Sequence, residues 1–229
     1  IVYLALDHVL ERQVAIKEYL PSALAGRSGG TAVAMRSPAA AETFALGLES
    51  FFNEARLLAC FDHPSLVKVY RCLKAHGTAY MVMQFYPGIT LKQARRGMAA
   101  APDGAWLRAL VEPLLDVLKL LHAEGVFHRD IAPDNILMLP DGRPVLLDFG
   151  SARRIVGDAT QSLTAVLKPN FAPIEQYADV TGMRQGPWTD LYALGATAYF
   201  MLSGEAPVHA VLRAVRDELP ALSAHDGTA

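Results

Sequence analysis

The chain has 229 residues, 52% of them hydrophobic and 19% charged, with a net charge of -2, which is enough apolar content to bury one large core or two smaller ones. A near-neutral chain without a Lys/Arg block lacks the basic footprint of a nucleic-acid or membrane-surface binder, so small molecules and proteins are the expected partners. Cys60 and Cys72 have no metal-ligand spacing around them and read as packed, reduced thiols, no apolar run is long enough to cross a bilayer, and the first residues lack signal-peptide order, so a cytoplasmic segment is expected.

Residues 1–6 and 13–17 are apolar, β-favouring runs joined by a polar turn, and read as a hairpin. Residues 21–45, rich in Ala, Gly, Ser and Pro, read as an irregular insertion. From Leu48 the apolar positions Leu48, Phe51, Phe52, Ala55, Leu58 and Ala59 recur at helical spacing, predicting an amphipathic helix that ends near Asp62-His63-Pro64. Strands are expected over 66–72 and 78–85, split by His76-Gly77, and Pro87-Gly88 then interrupts the pattern. Helices dominate afterwards, over 107–124, 173–177 and 189–202, and Pro113 predicts a kink or a later start in the first of them. A hairpin over 136–139 and 144–147, turned by Asp141-Gly142, falls among these helices.

That hairpin separates His128-Arg129-Asp130-Ile131-Ala132-Pro133-Asp134-Asn135 from Asp148-Phe149-Gly150, so five positions part Asp130 from Asn135 and thirteen part Asn135 from Asp148. Phosphoryl transfer needs these groups converging on one point. One aspartate orients the acceptor hydroxyl and takes its proton, while an Asn and a second Asp hold the Mg²⁺ that bridges the nucleotide phosphates. Either motif alone is usually a solvated loop or a strand running into a turn, but here order, spacing and context agree along the chain. Upstream, Val14-Ala15-Ile16-Lys17 closes a strand, and the following helix carries Glu54 on the same face as Leu58. Lys17 therefore fits the lysine that contacts the α- and β-phosphates and is held by a glutamate.

With these motifs, nearly the whole chain resembles the eukaryotic-like serine/threonine protein kinases, and Val14 to Pro21 and Leu163 to Tyr177 look most like a bacterial branch. The resemblance implies an α+β, two-lobed protein-kinase-like fold: a small antiparallel sheet plus one helix over residues 1–85 for nucleotide binding, then a mainly helical lobe over 86–229 with the catalytic and activation segments. It implies ATP and Mg²⁺ as cofactors and Ser/Thr hydroxyls of proteins as acceptors, in signalling. Asp130 is the implied base, Asn135 and Asp148 the metal ligands, and Lys17 the partner of Glu54. Val2, Ala15 and Leu137 would line the nucleotide, Met83 would be the gatekeeper, and backbone groups of Gln84 and Tyr86 would bind adenine. Ala172-Pro173-Ile174-Glu175 resembles the close of the activation segment, with Glu175 expected to pair with an arginine. Asp190 resembles the aspartate that braces the catalytic loop. Arg129, beside a catalytic aspartate, needs a counter-charge, and phosphorylation of Thr160, Ser162 or Thr164 would supply one.

The chain also departs from the pattern. Two positions after the catalytic aspartate, the family has a lysine that touches the γ-phosphate, whereas this chain has Ala132. Seven positions before Glu175, where the family has a threonine, this chain has Lys168. The two departures read as one change, in which Lys168 restores from the activation segment the cation lost from the loop. The glycine-rich loop expected before Val2 and the family's last helices lie outside the sequence, so this segment alone is expected to be poorly active. A nucleotide-binding pseudokinase scaffold, motivated by Ala132, and a small-molecule phosphotransferase of the same fold are the rival readings.

Overall fold

The computed structural model describes residues 1–27, 29–149, 153–154, 167–177 and 183–222. The chain divides into two compact units, Ile1–Tyr86 and Pro87–Ala229.

In the first unit, β1 (Val2–Asp7) and β2 (Arg12–Glu18) form the expected hairpin. There follow β3 (Ala25–Arg27), β4 (Val33–Met35), α1 (Pro38–Ala59), β5 (Val69–Ala75) and β6 (Thr78–Gln84). Four strands make one antiparallel sheet in the order β1-β2-β6-β5, with Lys17 opposite Met81 and Ala15 opposite Met83. The insertion expected to be irregular is ordered. β3 and β4 pair as a hairpin, and Ala25, Val33 and Phe44 bury together against Tyr19, Leu24 and Leu48. α1 begins at Pro38 rather than near Leu48: Ser37 caps it by accepting from the Ala40 amide at 3.3 Å, and Pro38 fills the first turn, where no donor is needed. Its buried face runs Phe44, Phe51, Glu54, Ala55, Leu58.

One buried carboxylate ties this hairpin to the sheet. Glu18, 2% exposed, accepts from Tyr3 Oη at 2.8 Å and Tyr80 Oη at 2.9 Å and pairs with the Arg27 guanidinium. A charge taken out of water is tolerable only when paired and hydrogen-bonded in this way.

The second unit contains β7 (Ile89–Thr90), α2 (Leu91–Gly97), α3 (Gly104–Ala123), β8 (Val126–Phe127), a 3-10 turn over Pro133–Asn135, β9 (Ile136–Met138), β10 (Pro144–Leu146) and β11 (Arg153–Arg154). A second 3-10 turn over Ile174–Gln176, α4 (Pro187–Ser203) and α5 (Ala210–Val215) complete it. The hairpin β9–β10 extends to β7, and β8 pairs with β11. α3 starts at Gly104, capped by Asp103 accepting from the Trp106 amide at 2.8 Å, and runs through Pro113 unbroken. Its stripe Leu110, Leu114, Val117, Leu118, Leu121 recurs at helical spacing and is buried, which outweighs the one backbone donor that Pro113 removes. The helix expected over 173–177 is only the single 3-10 turn, while β7, α2 and α5 had no counterpart in the sequence reading. α2 is fixed by a capping box between Thr90 and Gln93. No helix among the described residues is long and apolar enough to cross a membrane.

Candidate active site

In the first unit, the strand period places Lys17 and Ala15 on one face of β2. Lys17 Nζ donates to Glu54 Oε1 at 2.8 Å, and the glutamate side chain is 6% exposed. Glu54 is held there by α1, whose neighbouring turns bury Phe51 and Leu58 on the same face. Met83 and Gln84 lie on β6 opposite Ala15 and Val14, and Val2 lies on β1 opposite Lys17. Tyr86 is buried, its hydroxyl accepting from the Lys68 amide at 3.3 Å and donating to Leu66 O at 3.4 Å.

The second unit gathers Asp130, Asn135 and Lys168. Asn135 Nδ2 donates to both Asp130 Oδ2 at 2.7 Å and Asp130 O at 2.8 Å. Both amide hydrogens are engaged, so Oδ1 is the atom that can accept a hard cation. Lys168 Nζ lies 3.6 Å from Asp130 Oδ1. Burial pushes the Asp130 carboxyl above the ordinary carboxylate range; Lys168, His128 and the Asn135 hydrogen bond pull it back in part, and Asp148 pushes it the same way as burial. Leu137 is on β9 in this unit, opposite Val145 and Thr90.

The loop that carries Asp130 is braced from below. Asp190, with no exposed surface, accepts from the His128 amide at 2.9 Å, the Arg129 amide at 2.7 Å and His122 Nε2 at 2.8 Å. His128 is fully enclosed and packs edge-on against Phe149, ring centroids 4.7 Å apart. Its Nδ1 accepts from the Asp130 amide at 3.3 Å and its Nε2 donates to Leu147 O at 3.0 Å. Burial pushes its pKa down, in keeping with a neutral ring that accepts on one nitrogen and donates on the other. Arg129 and Asp148 adopt left-handed backbone conformations, with φ of 66° and 54°.

Lys168 is delivered by a tight turn: its carbonyl accepts from the Phe171 and Ala172 amides at 2.9 and 3.0 Å. Asn170 Nδ2 donates to Pro207 O at 2.7 Å, and Phe171 packs against Phe200. Downstream, Glu175 Oε1 accepts from Thr189 Oγ1 at 2.9 Å, and no arginine pairs with it among the described residues. Gln176 Nε2 donates to Arg129 O at 2.7 Å. Neither Gln176 nor His122 stood out in the sequence, because each acts through a contact across 47 or 68 positions. Gly150, Thr160, Ser162 and Thr164 lie outside the described residues.

Among the described residues no group of three or more His, Cys, Asp or Glu could hold a metal by itself. Asn135 and Asp148 offer an amide and a carboxylate, hard oxygen donors that suit Mg²⁺, an ion bound by one or two such groups with substrate phosphates completing the shell.

The family model for the protein kinase domain matches residues 24–222, and the chain belongs to the protein kinase family. It is 34% identical over 172 residues to serine/threonine-protein kinase C of Synechocystis sp., covering 69% of this chain and 30% of that protein. It is 31% identical over 175 residues to serine/threonine-protein kinase PknA of Nostoc sp., covering 72% of this chain and 30% of the relative. A solved structure, the PpkA-294 apo form, superposes with a TM-score of 0.86 at 46% identity, covering 99% of this chain and 79% of that one. The fold is that of a protein kinase, and the chain spans about 30% of the length of the curated relatives it matches.

Proposed function

We propose that this chain is the catalytic segment of an ATP- and Mg²⁺-dependent kinase that transfers the γ-phosphoryl group to Ser or Thr hydroxyls of proteins in bacterial signalling. Asp130 orients the acceptor hydroxyl and takes its proton. Asn135 and Asp148 would hold the metal, which would supply positive charge to offset that of the nucleotide phosphates. Lys17, kept extended by Glu54, contacts the α- and β-phosphates, while Ala15, Val2, Met83 and Leu137 line the nucleotide and backbone groups of Gln84 and Tyr86 receive adenine. Lys168 supplies the cation that faces the γ-phosphate, in place of a loop lysine at Ala132. The two units carry the two tasks, nucleotide binding in the first and catalysis and activation in the second.

The observation that carries this reading is the Asp130 carboxylate, bonded by Asn135 at 2.7 Å and faced by Lys168 at 3.6 Å. A pseudokinase has no need of that arrangement. The test is transfer from radiolabelled ATP by the full-length protein to generic protein substrates, beside its Asp130→Asn variant. Label on Ser and Thr with the wild type alone is expected; equal label from both, or none from either, overturns the reading.

A further inference from the structure

The peptide unit that joins Arg129 to Asp130 is gripped at both of its polar ends. Its N–H, on Asp130, donates to His128 Nδ1 at 3.3 Å, and its C=O, on Arg129, accepts from Gln176 Nε2 at 2.7 Å. Arg129 itself sits at a φ of 66°, a region that L residues with a side chain enter only when their surroundings hold them there. Its amide is held by Asp190 at 2.7 Å. With amide and carbonyl both anchored, rotation of the peptide plane has no free end, and the direction in which Asp130 leaves the backbone is fixed.

The two anchors come from different parts of the second unit. Asp190 lies in the first turn of α4. Gln176 ends the 3-10 turn Ile174–Gln176, directly after Glu175, whose carboxylate accepts from Thr189 on α4. Two neighbours of this turn also bond within its own segment: the Tyr177 hydroxyl donates to Pro169 O, next to Lys168, and Gln185 Nε2 donates to Glu175 O at 3.2 Å. The stretch that carries Lys168 to the Asp130 carboxylate therefore also carries the donor that holds the Asp130 backbone.

From this geometry we infer that Gln176 is a positioning residue for the base: its side-chain amide clamps the left-handed Arg129 carbonyl and thereby aims Asp130. The inference rests on the kinase reading above for its kinetic consequence, but the clamp itself is a structural claim. Removing the donor releases one end of a strained peptide, and a base displaced by a fraction of an ångström to an ångström loses its near-attack geometry. Nucleotide contacts made through Lys17 are untouched.

The experiment uses the full-length protein with Gln176→Met, which keeps the length of the side chain without a donor, and Gln176→Lys, which keeps a donor at similar reach. Amide hydrogen exchange is read on the catalytic-loop peptide around Arg129 and Asp130, and steady-state phosphotransfer in parallel. For Gln176→Met, loop exchange is expected to quicken while α4 peptides stay unchanged, and kcat to fall about 10- to 100-fold with KM for ATP near the wild-type value. Gln176→Lys is expected to recover part of both. Unchanged loop exchange in Gln176→Met, or a Gln176→Lys protein no better than Gln176→Met, overturns the clamp. A wild type that transfers no phosphate, with the exchange differences intact, would instead remove the kinase reading and leave the clamp standing.

Discussion

At the scale of single residues, one cation stands out in the candidate site. Lys168 Nζ stands 3.6 Å from Asp130 Oδ1, and the loop position two after the aspartate is the buried Ala132. The positive charge favours the ionised carboxylate, so it lowers a pKa that burial holds above the ordinary range. Without it the Asp130 pKa rises further, and a larger fraction of the base is protonated at a given pH. The acid limb of the pH–kcat profile should therefore move to higher pH in Lys168→Ala, with kcat at its plateau down about 10²-fold, the scale of losing one electrostatic contact to developing charge. The double variant Ala132→Lys, Lys168→Thr, which restores the resembled arrangement, should recover much of that loss. An unshifted acid limb in Lys168→Ala would show that the lysine does not act on this carboxylate. Lys168 could be found by counting back from Glu175, whereas the Thr189 partner of Glu175 could not, since nothing in the spacing says which side chain a turn presents to α4.

At the scale of elements, the sequence misled where composition and packing disagree. Residues 21–45 are rich in small and turn-forming types, which usually mark a loop, yet Ala25, Val33 and Phe44 bury together and order the stretch into a hairpin and the first turns of α1. Phe44 precedes Phe51 by two helical turns, so the apolar stripe does extend upstream of Leu48, but a single aromatic among alanines leaves the period too weak to see. Phe44→Ala should remove the centre of this small cluster and destabilise the first unit by about 3 kcal/mol. Urea unfolding should show the lower midpoint, with hydrogen-exchange protection lost first over β3 and β4. The strands and helices with strong periods were legible: β1, β2, β6, α3 and α4 fall within a few residues of expectation. The two-residue strands and α2 were not, because elements this short are stabilised by their caps and neighbours rather than by their own pattern.

At the scale of the whole molecule, backbone strain is unevenly distributed. Four described residues other than glycine have positive φ: Glu11, His76, Arg129 and Asp148. The first two sit in hairpin turns of the sheet, and the last two in the candidate site. Strain of the first kind can be relieved without touching chemistry. His76 precedes Gly77, whose φ is 76°, so His76→Asn would create the Asn-Gly pair preferred where both central residues of a turn are left-handed. A gain of about 0.5–1 kcal/mol is expected, read as a higher thermal midpoint with phosphotransfer unchanged; a lower midpoint would mean that the ring contact of His76 with Tyr80 and its bond to Thr31 outweigh the turn. The motifs that announce the chemistry were legible because they are contiguous in sequence, while the supports that hold them come from 47 to 62 positions away, through Gln176 and Asp190. The Lys168 side chain, 29% exposed, also places a primary amine beside the base where the resembled pattern has a hydroxyl. An amine-directed electrophile built to approach from the phosphate-acceptor end would find a covalent anchor here and none in a kinase with threonine at that position, which makes Lys168 a basis for separating this protein from threonine-bearing kinases by inhibitor chemistry.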